Sequence, residues 1–194
     1  MGGNFNAWIR FNLMVDVDSV LIEAIGRGDH YAFEKLVKRY QNPVMNFIYR
    51  YLGDRCTAED LTQEVFLRVY QAAPRFNPRA RVVSWVFKIA YNLSINEIRR
   101  RRRLAEQLAT EEIDCEADSG STARHELEEE IAIALESLPE KQRAALLLKV
   151  NEGLSYLEIS ETLGVSVASV ESLLFRARKT LRKILSKKQA KQKE

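Results

Sequence analysis

Residues 155–185, SYLEISETLGVSVASVESLLFRARKTLRKIL, decide how the chain is read. Ser155 followed by Glu158 is the spacing of a capping box at a helix start. Leu157, Ile159 and Leu163 are the apolar positions of that first helix. Gly164 then breaks the pattern, and glycine tolerates the dihedrals a tight turn needs. Ser166 is the natural cap of a second helix. Its apolar residues are Val167, Val170, Leu174, Ala177, Leu181 and Ile184, the three-and-four spacing of one helical face. The opposite face carries Ser169, Glu171, Ser172, Phe175, Arg176, Arg178, Lys179 and Arg182. A short helix, a glycine turn and a longer basic helix make a helix-turn-helix whose second helix reads DNA. An αα-hairpin with a solvated charged face has the same period, but the tight turn and the one-sided positive charge favour DNA.

The rest of the chain is also helical. Its 4 prolines and 8 glycines leave the helical period dominant over 194 residues, and an all-α fold follows. The formal net charge of +3 hides strong patterning. Residues 75–103 hold nine basic side chains and one acid, residues 104–130 one and ten, and residues 167–194 nine and two. Two basic blocks therefore flank an acidic one, and basic blocks of this kind suit phosphate binding. Cys56 and Cys115 lie far apart and read as free thiols of an intracellular protein. His30 and His125 are the only histidines, and no CxxC or HxxxH spacing occurs, so neither a metal nor a cofactor is expected. No apolar run reaches the ~18 residues of a membrane span, and the N-terminus lacks the layout of a signal peptide. A cytoplasmic location is expected.

In chain order, residues 1–13 have no clear period and stand outside the fold argument as an N-terminal extension. Val17, Val20, Leu21, Ala24 and Ile25 suggest a short helix closed by Gly26 and Gly28. Asp29 caps a helix whose apolar face is Phe33, Leu36, Val37, Tyr40, Val44, Phe47, Ile48 and Tyr51, with a kink or break expected at Pro43. Thr57 is read as the cap of the next helix, with Leu61, Val65, Val69 and Ala72 buried. Asp60, Gln63, Glu64, Leu67 and Arg68 lie off that stripe. Catalysis there would need further carboxylates or histidines that the neighbourhood does not supply, so this surface reads as a protein-docking one.

After Pro74 and the loop RFNPRA, a long helix is expected from about Val82 to Arg103, with Val82, Val86, Ile89, Ala90, Leu93 and Ile98 inward. Lys88, Asn92, Asn96, Arg99, Arg100 and Arg103 recur every three or four residues as one polar stripe. Asparagine is a mediocre helix former, so two of them in register with cations suggest hydrogen-bond readout backed by phosphate contacts. The five arginines 99–103 cannot all share one face, and an exposed helix end would also accept them. Trp85 reads as packing rather than as a stacking platform. Residues 104–125 lose the period and read as a flexible acidic linker. Helices are then expected over 126–137, with Ile131, Leu135 and Leu138 inward, and over 140–151, with Leu146, Leu147 and Val150 inward and Pro139 at a first helical position. Residues 186–194 form a basic tail.

Four segments together carry a family resemblance over nearly the whole chain. They are DLTQEVFLRVYQA from Asp60, the stretch from Arg75 through WVFKIAYNLSINEIRR, LESLPEKQRAALLLKVNEGLSYLEIS from Leu135, and FRARKTLRK from Phe175. The chain resembles the extracytoplasmic-function (ECF) sigma factors of bacterial RNA polymerase, in the sigma-70 family. The resemblance implies two small helical domains, at 14–103 and 126–185, without the intermediate domain of larger sigma factors. Asp60, Gln63, Glu64, Leu67 and Arg68 would dock on the clamp helices of the largest polymerase subunit, with further contact at the polymerase flap. Phe76, Arg81, Lys88, Asn92, Asn96, Arg99, Arg100 and Arg103 would bind the −10 element, with the loop from Phe76 to Val82 and both asparagines capturing unstacked bases. Flipped bases expose the edges that such side chains read. Ser155, Tyr156, Ser169, Glu171, Ser172, Phe175, Arg176, Arg178 and Lys179 would bind the −35 duplex. The acidic linker would thread toward channels built for nucleic acid. An anti-sigma factor, often membrane-bound, holds many members of the family. The chain departs from the family pattern in Glu171 and Leu173, where basic residues are common, and in its N-terminal extension. A stand-alone helix-turn-helix regulator would explain residues 155–185 but not the Asn92/Asn96 stripe or the docking helix. An enzyme acting on nucleic acid would need a nucleophile or metal constellation that is not visible.

Overall fold

The computed structural model describes residues 17–77, 80–108 and 131–191. They form α1 (Val17–Gly26), α2 (His30–Leu52), α3 (Arg55–Ala72), a 3-10 turn (Ala73–Arg75), α4 (Val82–Leu108), a helical segment at 131–136, α5 (Glu140–Val150), α6 (Tyr156–Leu163) and α7 (Val167–Lys191). No strand occurs among the described residues, as the period implies. The extension, Cys115 and the linker from residue 109 on lie outside them; residues 104–108, expected to begin the linker, are instead the last turn of α4.

The first half is built around α2. Leu36, Val44, Phe47, Ile48 and Tyr51 are fully buried. Phe47 lies near-parallel to the Tyr51 ring at 5.8 Å and meets Phe87 of α4 edge-on at 5.6 Å. Asp29 caps α2 as expected, accepting from the amides of Tyr31 and Ala32. The helix runs unbroken through Pro43. Its flanking residues Tyr40, Val44 and Phe47 are all buried, and tertiary packing of that face outweighs the proline's lost hydrogen bond. In α1 the inward residues are Asp18, Ile22 and Ile25, while Val17 and Val20 are exposed. The period there is offset because the Asp18 carboxylate is drawn inward, accepting from Tyr40 at 2.5 Å and pairing with Arg39 at 2.8 Å. Asp54, not Thr57, caps α3: it accepts from the Thr57 amide and hydroxyl. Those bonds, the hydroxyl's first, hold the Asp54 carboxyl below its usual range against some burial.

In the second half the 131–136 segment, α5, α6 and α7 pack around Leu148, Ile159, Val170, Leu174 and Ala177. Four expected inward residues face solvent instead: Ile131, Leu157, Val167 and Val150, the last 67% exposed. Ala134, Leu148 and Thr162 take their places inside. Runs such as AALLLKV are apolar on too many sides for the period to choose a face. Pro139 is the cap of α5 rather than its first residue. Ser155 and Glu158 form the expected capping box, worth about 1 kcal/mol. Gly164 adopts the left-handed conformation (φ 63°) that closes α6, and Ser166 accepts from the Ser169 amide at the start of α7.

The two halves pack against each other, α4 along α6 and α2 against α5. The buried apolar residues of both halves form one cluster, and polar contacts cross the joint. Arg143 donates to the Tyr51 carbonyl at 2.9 Å and stacks on the Tyr51 ring. Arg81 pairs with Glu158 at 2.7 Å and Arg102 with Glu140 at 2.9 Å. A side chain on Gly53 (φ 75°) would meet the Glu136 carboxylate at 3.3 Å, so glycine serves both the turn and the close approach there.

Glu152 sits half-buried in the turn between α5 and α6. Burial pushes its carboxyl up to about 7, against the pull of Arg50. The folded chain therefore holds this proton more tightly than the unfolded one. Stability is lost as pH rises from the ordinary value of 4.5 through about 7. Glu152→Gln should raise stability by about 1 kcal/mol at pH 8, the cost being softened by solvent, and change nothing at pH 4. Melting curves at the two pH values check this; equal shifts at both would contradict it.

Candidate nucleic-acid interface

The long polar stripe lies on α4. The inward residues Val82, Val86, Ala90 and Leu93 fix the rotation of the helix. Lys88, Asn92, Asn96, Arg99, Arg100 and Arg103 are then all exposed on the other side. The helix continues to Leu108, more than a turn past Arg103, so the arginines are not a frayed helix end.

The five arginines divide by partner. Glu97, almost fully buried, takes two bonds from Arg100, both at 2.8 Å, and one from Arg101 at 2.8 Å. These bonds hold its carboxyl down at about 2, Arg100 contributing most, against the opposing pull of burial. Arg101 also reaches Asp54 at 2.7 Å and Thr57 at 2.8 Å, tying α4 to the cap of α3. Arg102 points to Glu140 of the second half. Among the described residues Arg99 and Arg103 have no acidic partner. Arg99, Arg103 and Lys88 are thus the stripe's uncommitted cations, while Arg100 is held by the Glu97 carboxylate.

Phe76 is half-buried with its ring 4.8 Å from that of Trp85, which places Trp85 in packing as its sequence position suggests. Arg81 is exposed and pairs with Glu158. Glu158 is partly buried, which opposes ionisation, yet Ser155 and Arg81 together hold its carboxyl below its usual range.

On α3, Asp60, Gln63, Leu67 and Arg68 are exposed and Glu64 is half-exposed. Arg68 pairs with Glu64 one turn away at 2.7 Å. Leu67 is 50% exposed. An apolar side chain ringed by polar ones, over a stripe of buried Val65 and Val69, suits a protein contact rather than chemistry.

On α7, Ser169, Glu171, Ser172, Phe175, Arg176, Arg178 and Lys179 are all exposed. Glu171, Ser172, Phe175, Arg176 and Lys179 line one shallow concavity. Phe175 is 67% exposed, and no core position accounts for it. Ser155 is occupied in its capping box, and Tyr156 is half-buried beneath the Lys149 ammonium. The sequence reading missed Lys141, which comes from the first turn of α5 to line a second concavity with Ser169, Ser172 and Arg176. Only the fold brings a cation about 30 residues upstream to α7.

The sigma-70 region 2 family matches residues 36–104, which include α3 and the polar stripe of α4. The sigma-70 region 4 family matches residues 128–181, which include the helix-turn-helix. The RNA polymerase sigma-H factor of Pseudomonas aeruginosa is 32% identical over 185 residues, covering 89% of this chain and 96% of that protein. The ECF RNA polymerase sigma-E factor of Escherichia coli K12 is 33% identical over 178 residues, covering 84% and 92%. Among solved structures, CnrH in complex with the cytosolic domain of CnrY superposes with a TM-score of 0.72 at 25% identity, covering 88% and 98%. Bartonella quintana RpoE, solved with the anti-sigma factor NepR, shares the fold with a TM-score of 0.66 at 23% identity, covering 79% and 96%. A stand-alone helix-turn-helix regulator would account for the second half alone, whereas two domain matches in order and full-length relatives account for both: the chain belongs to the ECF group of the sigma-70 family, the factors that direct RNA polymerase to promoters.

Proposed function

We propose that the exposed surfaces divide the work of this sigma factor by element. The single observation that supports the division is that each charged or polar set stands on a helix whose opposite face is core. On α3, Asp60, Gln63, Glu64, Leu67 and Arg68 dock on the clamp helices of the largest subunit of core polymerase. On α4, Asn92 and Asn96 take unstacked −10 bases while Lys88, Arg99 and Arg103 hold phosphates; Phe76, Arg81 and Arg100 border that surface. On α7, Ser169, Ser172, Phe175, Arg176, Arg178 and Lys179 enter the −35 major groove, with Ser155 and Tyr156 at its edge and a further contact to the polymerase flap. The chain acts in the cytoplasm by binding, with no catalytic step of its own, and an anti-sigma factor completes the reading. No helix among the described residues is long and apolar enough to cross a membrane.

The docking surface is tested directly. Gln63→Ala combined with Glu64→Ala should weaken binding to core polymerase by tenfold or more, on the order of 1–2 kcal/mol for truncated interface residues. The melting temperature should barely move, since exposed changes usually stay within about 0.5 kcal/mol. Unchanged affinity for core polymerase would remove α3 from the interface.

A further inference from the structure

Glu171 is the one acid among the basic and hydroxyl residues that α7 presents. It is exposed and lines the same concavity as Arg176 and Lys179. Its helical neighbours three and four residues away are Val167, Ala168, Leu174 and Phe175, so no cation is placed to neutralise it along the helix. Among the described residues it joins no ion pair or hydrogen bond. Lys141, across the surface from α5, lies with Ser172 and Arg176 and makes no pair with Glu171 either.

A bare carboxylate brought against a duplex is repelled by the phosphates unless it meets a donor on the bases. The major groove offers two amino donors, N4 of cytosine and N6 of adenine. Adenine N6 stands beside the N7 acceptor, which repels a carboxylate, whereas the cytosine amine has only a C–H at its side.

On the −35 reading of α7 proposed above, we infer that Glu171 is a specificity-determining residue: its carboxylate accepts a hydrogen bond from the N4 amine of a −35 cytosine in the major groove. The protein then requires a G·C pair, in that orientation, at one position of the element.

The test uses holoenzyme reconstituted from core polymerase and the full chain, with promoters randomised over the −35 element. Wild type should prefer cytosine at one position by at least about fivefold, the lower end for one good base contact. Glu171→Ala should flatten that position alone, and Glu171→Arg should shift it to guanine, with melting temperatures unchanged. Replacing the cytosine by an analogue without its 4-amino group should weaken wild type by the same factor and leave Glu171→Ala unaffected. The same preferred base in all three proteins, with only a uniform gain in affinity on losing the charge, would overturn the role of Glu171 while leaving α7 as the −35 reader. Loss of any −35 preference in wild-type holoenzyme would overturn the −35 reading itself, and the inference with it.

Discussion

Phe47→Ala should destabilise the folded chain by about 3–5 kcal/mol, the range for a buried aromatic truncated to alanine. Phe47 is fully buried at the centre of the first half, where α2 meets α4. Its ring contacts Tyr51 and Phe87, and Tyr51 in turn carries Arg143 from the second half. Removal leaves a cavity that two rings from different helices cannot both close. Phe47→Leu keeps most of the volume and should cost clearly less. Tyr49→Ala, two residues away and 45% exposed, should cost within about 0.5 kcal/mol. Chemical denaturation of the three variants checks the order. A loss below about 1 kcal/mol for Phe47→Ala would mean that α2 is not the organising element.

The second large effect concerns DNA rather than stability. Asn92→Ala should lower transcription from duplex promoters by tenfold or more and change the preferred base at one −10 position. Arg103→Ala should weaken binding across all sequences and reduce the salt slope by about one. Asn92 and Arg103 stand on one exposed face of α4, but only the asparagine has the paired donor and acceptor that read a base edge. Transcription and filter binding over a −10 library at several salt concentrations separate the two. A uniform loss for Asn92→Ala, with no change in base preference, would remove base capture from its role.

The sequence carried the helices and most of the faces, because amphipathic period and caps are local. Asp29, Ser155, Gly164 and Ser166 all act where the spacing places them. Asp54 displaced Thr57 because either of two polar residues three apart can open a helix, and Asp54 takes both the amide and the hydroxyl of Thr57. Pro43 stays inside α2 because burial of its neighbours is a tertiary effect. Leu148 and Val150 exchanged places because α5 is apolar on several sides.

The candidate site was legible in kind but not in detail. The exposed stripe of Lys88, Asn92, Asn96 and the arginines follows from the core face of α4. Which arginines remain uncommitted does not, since Glu97, Asp54 and Glu140 claim three of the five from different elements. The charged contacts between the halves were invisible for the same reason. Arg81 and Glu158 are 77 residues apart, and only the packing of α4 on α6 makes them partners.

The most direct measurement is run-off transcription with purified core polymerase and a library of genomic promoters, run beside binding of the free chain to the same duplexes. Defined start sites should appear only when the chain is present, and tight duplex binding only with core polymerase. Tight, sequence-specific binding by the free chain, with no start sites in the presence of core polymerase, would contradict this.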